Sequence, residues 1–310
     1  MKVNNIVIVG GGTAGWITAT TFVKLFPNKK LTLIESPNIK TVGVGESTIV
    51  PFRQWLKLMK IKDKDFMKEC DASYKFSIRF TNFHKKDSGV IDYPFSLPEP
   101  INENRCNLWY FKKLINPNTP LTDFVDSFYP IMPLVNNNKV YTGNDLGNFN
   151  FYKDTAFHFD ATKFGLWLRD NICLPKVNHI KSNVKEIKTN DLGIESLELE
   201  NGDIIKADLF IDCTGFKSML LENTLGVEFE EFPKIGTGYV YSDKYTTDEE
   251  ALNELKQHIK DNGFKVPKEF SNIKMRIGIH EKLFVKNVVA IGLSAGFIEP
   301  LESNGLYTVH

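Results

Sequence analysis

The sequence has few cysteines, no excess of either charge and no long apolar run. Its 310 residues include four cysteines, and 38 basic residues balance 38 acidic ones. Nucleic-acid-binding proteins and polybasic membrane-surface proteins usually carry excess positive charge, so this balance argues against both classes. No apolar run approaches the roughly 18 residues of a membrane span. The composition, 42% hydrophobic and 25% charged, is instead typical of a soluble globular chain.

The cysteine pattern argues against a metal site or a dithiol motif. The four are widely scattered, with no CxxC pair, at Cys70, Cys106, Cys173 and Cys213. The N-terminal apolar run passes directly into glycines without a cleavage site, so we do not interpret it as a signal peptide. We therefore expect a cytoplasmic protein with reduced thiols and no bound metal.

The N-terminus predicts a βαβ unit. Residues 3–9 form a largely β-branched run that is typical of a buried parallel strand. Residues 16–26 have apolar positions at helical spacing and stop before Pro27. Residues 31–34 form a second strand, which ends at Glu35.

A glycine motif lies between the first strand and the helix. Gly10, Gly12 and Gly15 fit GxGxxG. Such glycines allow a tight turn, a close backbone approach to a pyrophosphate and close helix–strand packing, while the helix N-terminus offers free N–H groups to the phosphates. Glu35 follows at the end of the next strand, where an acid can accept hydrogen bonds from ribose hydroxyls. In this context a dinucleotide site is favoured over a ligand-free glycine turn.

The rest of the chain predicts an α/β domain interrupted by an insertion. Residues 52–70 are typical of an amphipathic, lysine-rich helix, and the aromatic-rich stretch after them has weak periodicity. Regular patterns return as a helix over 160–172 and strands over 184–187, 194–199, 204–205, 208–212 and 288–291. We therefore predict a discontinuous dinucleotide-binding, Rossmann-like domain, 1–71 and 156–310, and an inserted substrate-side lobe of strands and helices at 72–155.

Two further segments favour FAD over NAD. Residues 212–215 and 292–296 each place glycine at or after a strand end. FAD is long, and extended FAD sites gather contacts from several distant segments. No second GxGxxG follows a strand, so we expect the flavin to be reduced by a separate flavin reductase.

Five stretches, in a fixed order along the chain, carry a family resemblance. They are GGGTAGW at 10–16, VGVGEST at 42–48, YKFSIRF at 74–80, FHFD at 157–160 and GFIEPLESNG at 296–305. In these motifs and their order the sequence resembles the flavin-dependent halogenases of the tryptophan-halogenase family. The resemblance implies a fold of the flavin monooxygenase/halogenase type.

The resemblance also implies which residues hold FAD. The ADP half would be bound by Gly10, Gly12, Thr13, Ala14, Gly15 and Glu35. A strap over the flavin would comprise Val42, Gly43, Val44, Gly45, Glu46 and Ser47. Val184 would lie near the adenine, and the flavin site would continue at Asp212, Gly215, Gly292, Leu293 and Gly296.

The same resemblance implies the chemistry. Reduced FAD, O₂ and chloride or bromide give hypohalous acid, with the halide held by the N–H groups of Asn304 and Gly305. Lys75 matches the catalytic lysine, which either polarises that acid as an ammonium or forms a haloamine. Glu302 would stabilise the cationic ring of the substrate and remove its proton. The substrate would be a small electron-rich aromatic molecule of indole, phenol or pyrrole type, and a homodimer is an open option.

Several of these residues also have an ordinary structural interpretation. Without its motif, Lys75 predicts a solvated surface lysine, and Glu302 predicts an acid at a helix N-terminus. Asp160 is favoured as the N-cap of the following helix. The aromatic run 109–111 is typical either of a substrate cavity or of a hydrophobic core.

The sequence departs from the family pattern in two places. The WxWxIP signature expected before residues 238–241 is missing, and so is the helical part that follows the halide loop in the family. Three explanations stay open: a naturally shortened enzyme, a degenerate FAD-binding remnant without catalysis, or a sequence with segments omitted. The rival activity is FAD-dependent hydroxylation of an aromatic substrate.

Overall fold

The computed structural model describes residues 2–39, 45–83, 85, 87–99, 103–143, 145–232, 247–270, 275–298, 306 and 309, with backbone only for 45 and 103–106. Contacts divide the chain into two compact units. The first unit comprises Met1–Glu46 and Asp160–His310, and the second unit comprises Ser47–Phe159.

Strands and short helices make up both units. The strands are β1 Asn5–Val9, β2 Lys30–Glu35, β3 Gly45–Ser47, β4 Ser73–Lys75, β5 Ser77–Thr81, β6 Val90–Pro94, β7 Ala156–Asp160, β8 Val177–Lys181, β9 Val184–Asn190, β10 Gly193–Leu199, β11 Ile204–Ile205, β12 Leu209–Asp212, β13 Phe229–Glu231, β14 Gly278–His280, β15 Phe284–Val285, β16 Val288–Ala290 and β17 Gly296–Phe297. The α-helices are α1 Thr13–Leu25, α2 Pro51–Leu58, α3 Asp63–Phe66, α4 Glu103–Ile115, α5 Thr122–Phe128, α6 Met132–Asn136, α7 Ala161–Leu168 and α8 Asp248–Asp261. None of the helices described is long and apolar enough to cross a membrane.

A six-stranded sheet with the order β15-β16-β12-β1-β2-β8 organises the first unit. β1 pairs in parallel with β2 and β12, and β12 pairs in parallel with β16. β1 is buried from Ile6 to Val9, as expected for a strand covered on both faces. Parallel strands end at one edge, so the register Val9 to Asp212 and Asp212 to Ala290 brings three chain segments together there.

The structure confirms the N-terminal βαβ unit and the N-cap at Asp160. The Oδ1 of Asp160 accepts a hydrogen bond from the backbone N–H of Lys163 at 2.9 Å. The helix predicted over 160–172 is α-helical only as α7 and continues as a π turn over Arg169–Cys173. The strands predicted over 184–212 are also present, with small shifts at their ends.

The single helix predicted over 52–70 is wrong. The chain forms α2 and α3, and between them Lys60 adopts a left-handed φ of 57°. Asp65 accepts a hydrogen bond from the Lys62 N–H at 2.9 Å, which starts the second helix. Met59 and Ile61 are both buried at the break, so burying two apolar side chains on either side of the turn outweighs helical continuity.

The second unit begins earlier than the insertion predicted at residue 72. Phe52 on α2 packs on the rings of Trp55, Phe157 and Phe159, and Phe66 on α3 packs on Phe157. This aromatic cluster joins both helices to β7. The unit also contains the β4–β7 pair and the β5–β6 hairpin.

The sequence did not predict several elements of the first unit, namely α8, β8, β13, β14, β15 and β17. α8 begins with a capping box in which Thr247 and Glu250 exchange hydrogen bonds, and this Thr-x-x-Glu pattern is visible in the sequence. β8 closes the edge of the large sheet beside β2. Residues 177–181 read Val-Asn-His-Ile-Lys, which does not alternate strictly, so the pattern gave no clear strand signal.

Candidate functional site

A cavity of about 380 Å³ lies in the first unit at the carboxyl ends of β1, β2 and β12. That volume is within the range of small-molecule sites. The lining includes these residues predicted from the sequence: Gly10, Gly12, Thr13, Ala14, Glu35, Glu46, Val184, Gly215, Gly292 and Leu293. The structure therefore brings segments separated by more than 250 residues of chain to one site.

The turn after β1 requires glycine. Gly10 has a φ of 118°, and a Cβ there would lie 2.1 Å from the carbonyl oxygen of Cys213. Gly15 does not line the cavity; a Cβ on it would lie 2.0 Å from the Gly10 carbonyl oxygen. The two glycines thus set the close packing of the turn between β1, β12 and α1.

The start of α1 is open to an anion. Gly12 precedes the helix without a side-chain cap, and the first turn contains no acidic residue. The first N–H groups of a helix have no partner within the helix and carry a partial positive charge, which suits a phosphate. Together with Glu35 and the Gly10 cradle, this end of the cavity fits the pyrophosphate and ribose of a dinucleotide.

Asp212 has a different place from the one expected. Its carboxylate is fully buried and accepts hydrogen bonds from Thr214, Leu220 and Leu221 at 2.6–3.0 Å. It holds the turn that presents Gly215 and does not itself line the cavity. Gly296 is also outside the lining, in β17, where it pairs with Ile279.

Glu46 is a titratable group in the cavity wall. Its burial raises the pKa of the carboxyl from 4.5 to about 7. Near neutral pH this group can therefore exist as a neutral acid or as a carboxylate. Glu46 belongs to the predicted strap segment 42–47, and the structure places it in the cavity lining.

Lys75 lies on β4 in the second unit and is buried, with 4% of its surface exposed. Its Nζ donates a hydrogen bond to the Thr48 carbonyl at 3.1 Å and lies 5.3 Å from the ring centre of Phe95. Burial lowers the pKa of the ammonium from 10.5 to about 8. The interpretation of Lys75 as a solvated surface lysine is therefore wrong.

The β4–β7 pair fixes the surroundings of Lys75. Lys75 lies opposite Ala156 in this antiparallel pair. Thr48 is hydrogen-bonded to β7, because its Oγ1 accepts a hydrogen bond from the Phe157 N–H at 2.9 Å. Burial, with the charge of Lys75 as a second cause, lowers the pKa of His158.

The aromatic run 109–111 forms no hydrophobic core. Tyr110 is 58% exposed and Phe111 is 57% exposed on α4. Trp109 is partly buried, with its Nε1 donating to Asp123 at 2.9 Å and its ring edge-on to Phe124. The core interpretation therefore fails for two of the three residues.

Some predicted residues cannot be placed. Val42, Gly43, Val44, Glu302, Asn304 and Gly305 lie outside the described residues. Gly45 and Ser47 bound the short strand β3. Among the described residues no cluster of histidine, cysteine or acidic side chains could hold a metal ion, and Cys70, Cys173 and Cys213 are buried.

Sequence reasoning missed several cavity residues at the end of β8. Ser182 and Asn183 line the cavity, and Asn183 Oδ1 accepts a hydrogen bond from Ser36 at 2.5 Å. They were missed because β8 itself was not predicted. Lys217 and Met219, after the β12 turn, also belong to the lining.

The parallel sheet, the glycine turn and the acid at the end of β2 define a dinucleotide-binding α/β protein. The family profile described as tryptophan halogenase matches residues 5–235 and 232–310. The chain therefore belongs to the tryptophan halogenase family. Its fold is accordingly that of an FAD-binding, Rossmann-like domain, and its class is that of an FAD-dependent oxidoreductase of the halogenase type.

Individual relatives support this membership. The tryptophan 6-halogenase SttH of Streptomyces toxytricini is 30% identical, over 99% of this chain and 70% of its own length. The tryptophan 7-halogenase RebH of Lentzea aerocolonigenes is 28% identical, over 100% of this chain and 68% of its own. The VirX1 apo structure superimposes with a TM-score of 0.89 at 35% identity, covering all of this chain and 68% of VirX1.

The matches also show where this chain is shorter than its relatives. The stretch matched to SttH comprises 374 residues, more than the 310 of this chain. The profile match is broken at 232–235. This break coincides with the place from which the WxWxIP signature is missing.

Proposed function

We propose that the protein uses reduced FAD, O₂ and a halide to halogenate a small electron-rich aromatic molecule. The observation that carries this proposal is the burial of Lys75 in the second unit, together with the cavity beside the glycine turn in the first. Several relatives are named tryptophan halogenases, so an indole ring is the first substrate class to test, before phenols and pyrroles. The halide substrate would be chloride or bromide.

The cavity would hold FAD through the groups already described. The first turn of α1 would bind the pyrophosphate, Glu35 the ribose, and Gly215 with Gly292 would flank the flavin. When bound and reduced, FAD with O₂ supplies the oxidising equivalent that turns halide into hypohalous acid. From the family motif, Asn304 and Gly305 hold the halide and Glu302 takes the ring proton.

Lys75 would control the transfer of halogen. With a pKa of about 8, roughly a tenth of the side chain is a neutral amine at pH 7, and the rest is ammonium. The ammonium can donate a hydrogen bond that polarises hypohalous acid. The amine can instead attack its halogen, forming an N–halogen bond and releasing water. Burial among Thr48 and Phe95 excludes the solvent that would quench either species.

The second unit, Ser47–Phe159, would be the substrate-side lobe, since it contains Lys75. We further propose that a separate reductase delivers reduced FAD, because the only GxGxxG after a strand is the one at Gly10.

The test is a product assay with Lys75→Ala. The enzyme would receive chemically reduced FAD, O₂, bromide and a panel of indoles and phenols, with products identified by mass spectrometry. We expect a brominated product from the parent and none from Lys75→Ala, with FAD affinity unchanged. Lys57→Ala, at an exposed lysine of the same unit, is the matched control and should keep full activity.

Other outcomes identify the alternatives. A hydroxylated product from the parent would favour a monooxygenase, and peroxide alone would favour a non-catalytic FAD-binding remnant. Bromination by Lys75→Ala at the parent's rate would contradict the assignment of this lysine.

A further inference from the structure

Glu35 is held from two sides at the edge of the cavity. Its Oε2 lies 2.7 Å from the Nε2 of His179. Its side chain also lies against Gly11, where a Cβ would come within 2.4 Å of the Glu35 Cγ. The carboxylate is thus confined between the glycine turn and strand β8.

His179 reaches Glu35 because of the sheet register. β2 and β8 are parallel, with Leu33 opposite His179. Glu35 is two residues beyond Leu33, so its side chain leaves the sheet on the same face as His179. Trp16 of α1 packs edge-on against the imidazole, with ring centres 5.1 Å apart, and the His179 side chain is only 10% exposed.

The direction of this hydrogen bond follows from the chemistry of the pair. An ionised carboxylate can only accept, so Nε2 is the donor whether or not Nδ1 also carries a proton. His179 occupies one carboxylate oxygen. Among the described residues no group donates a hydrogen bond to the second oxygen, so its lone pairs can accept one from a ligand in the cavity.

We propose that His179 is a positioning residue that orients Glu35 for the ribose diol of the adenosine half of the dinucleotide. This inference rests on the proposed function, because it takes the dinucleotide to be FAD. A glutamate in a fixed rotamer loses less conformational entropy when it binds. The pair therefore makes the site selective for a ligand with an intact adenosine ribose.

The experiment measures ligand discrimination at constant pH. FAD, FMN, ADP and 2′,3′-dideoxy-ADP are titrated into the parent and into His179→Phe, which keeps a ring beside Trp16 and has no donor. We expect His179→Phe to bind FAD and ADP about tenfold more weakly, the loss typical of one hydrogen bond to a charged group. Affinity for FMN and for dideoxy-ADP should not change. His179→Gln, which retains a donor, should recover most of the preference.

Melting curves show whether the variants are folded. His179→Asn is the second variant, because its amide is too short to reach Glu35 and should lose the same preference. If either folded variant keeps the parent's ADP-to-dideoxy-ADP ratio within twofold, His179 does not position Glu35. Equal weakening of all four ligands would also overturn the proposal, since it indicates a purely structural pair. If the parent binds ADP selectively but not FAD, the proposed function fails while this inference stands.

Discussion

The two units of the chain form their candidate functional groups in different ways. In the first unit, backbone features form one end of the cavity: a glycine turn, an open helix start and the ends of parallel strands. In the second unit, one side chain, Lys75, acquires its chemistry from the residues that bury it. A backbone site depends on local geometry, whereas the lysine depends on distant strands. Substitutions should therefore damage the two units in different ways.

The two units also contain buried ionisable groups that respond oppositely to pH. Glu46 has a pKa raised to about 7, and Lys75 has a pKa lowered to about 8. Burial disfavours the charged form in both cases. The stability contributions of the two groups should consequently change in different pH windows and with opposite sign.

The largest effect should come from Gly10→Ala, which tests the backbone site. A Cβ at this position meets the Cys213 carbonyl at 2.1 Å, and φ is 118°. We expect FAD affinity to fall by about a hundredfold or more, because the turn must shift. The measurement is a fluorescence titration with FAD. Gly202→Ala is the matched control: its φ is also positive at 88°, but a Cβ there meets nothing. Equal loss in both variants would contradict this role of Gly10.

The next effect is expected from Lys75→Met, which tests the buried side chain. We expect bromination to be lost and the free energy of unfolding at pH 7 to rise by about 2 kcal/mol, since a buried charge is removed. The folded pKa of about 8 lies below the ordinary 10.5. The penalty is therefore present below pH 8 and is relieved as pH rises from 8 to 10.5. Urea unfolding at pH 7 and pH 10 measures this change. The free energy of unfolding should increase more in the parent than in Lys75→Met over this interval, and an equal or smaller increase in the parent would contradict the prediction.

A somewhat smaller change should follow from Glu46→Gln. The folded pKa of about 7 lies above the ordinary 4.5, so stability in the parent falls as pH rises from 4.5 to 7. We expect the variant to be more stable than the parent by about 1–2 kcal/mol at pH 8, and equal to it near pH 4.5. Thermal unfolding across this range is the measurement. A difference that does not vary with pH would show that the carboxyl is not the cause.

The smallest effect should come from Asp160→Ala, which tests a purely local feature. Loss of the hydrogen bond to the Lys163 N–H should lower stability by about 1 kcal/mol, the usual value for an N-cap. Asp160→Asn keeps a hydrogen-bond acceptor and should retain most of the stability that the alanine variant loses. Urea unfolding of both variants measures the difference. An alanine variant as stable as the parent would indicate that the cap contributes nothing here.

Local signals explain the parts of the fold that could be predicted. The β-branched run before Gly10 and the spacing of the glycines specify a strand, a turn and a helix within a few residues of each other. Asp160 caps the helix that begins at the next residue, because its side chain accepts from the N–H three residues further on, which is the same kind of short-range rule. The helix over 52–70 failed because Met59 and Ile61 are buried by contacts that periodicity does not contain.

The sequence by itself determined the βαβ unit, the glycine turn and the family, because these depend on short-range geometry and on motifs in a fixed order. Only the tertiary structure decided that Asp212 supports a turn and that His179 contacts Glu35. It also decided that Lys75 is buried and that this burial lowers the pKa of its ammonium. The physical reason is that burial and sheet register bring together residues that are far apart in the chain. A short stretch of sequence determines neither of them.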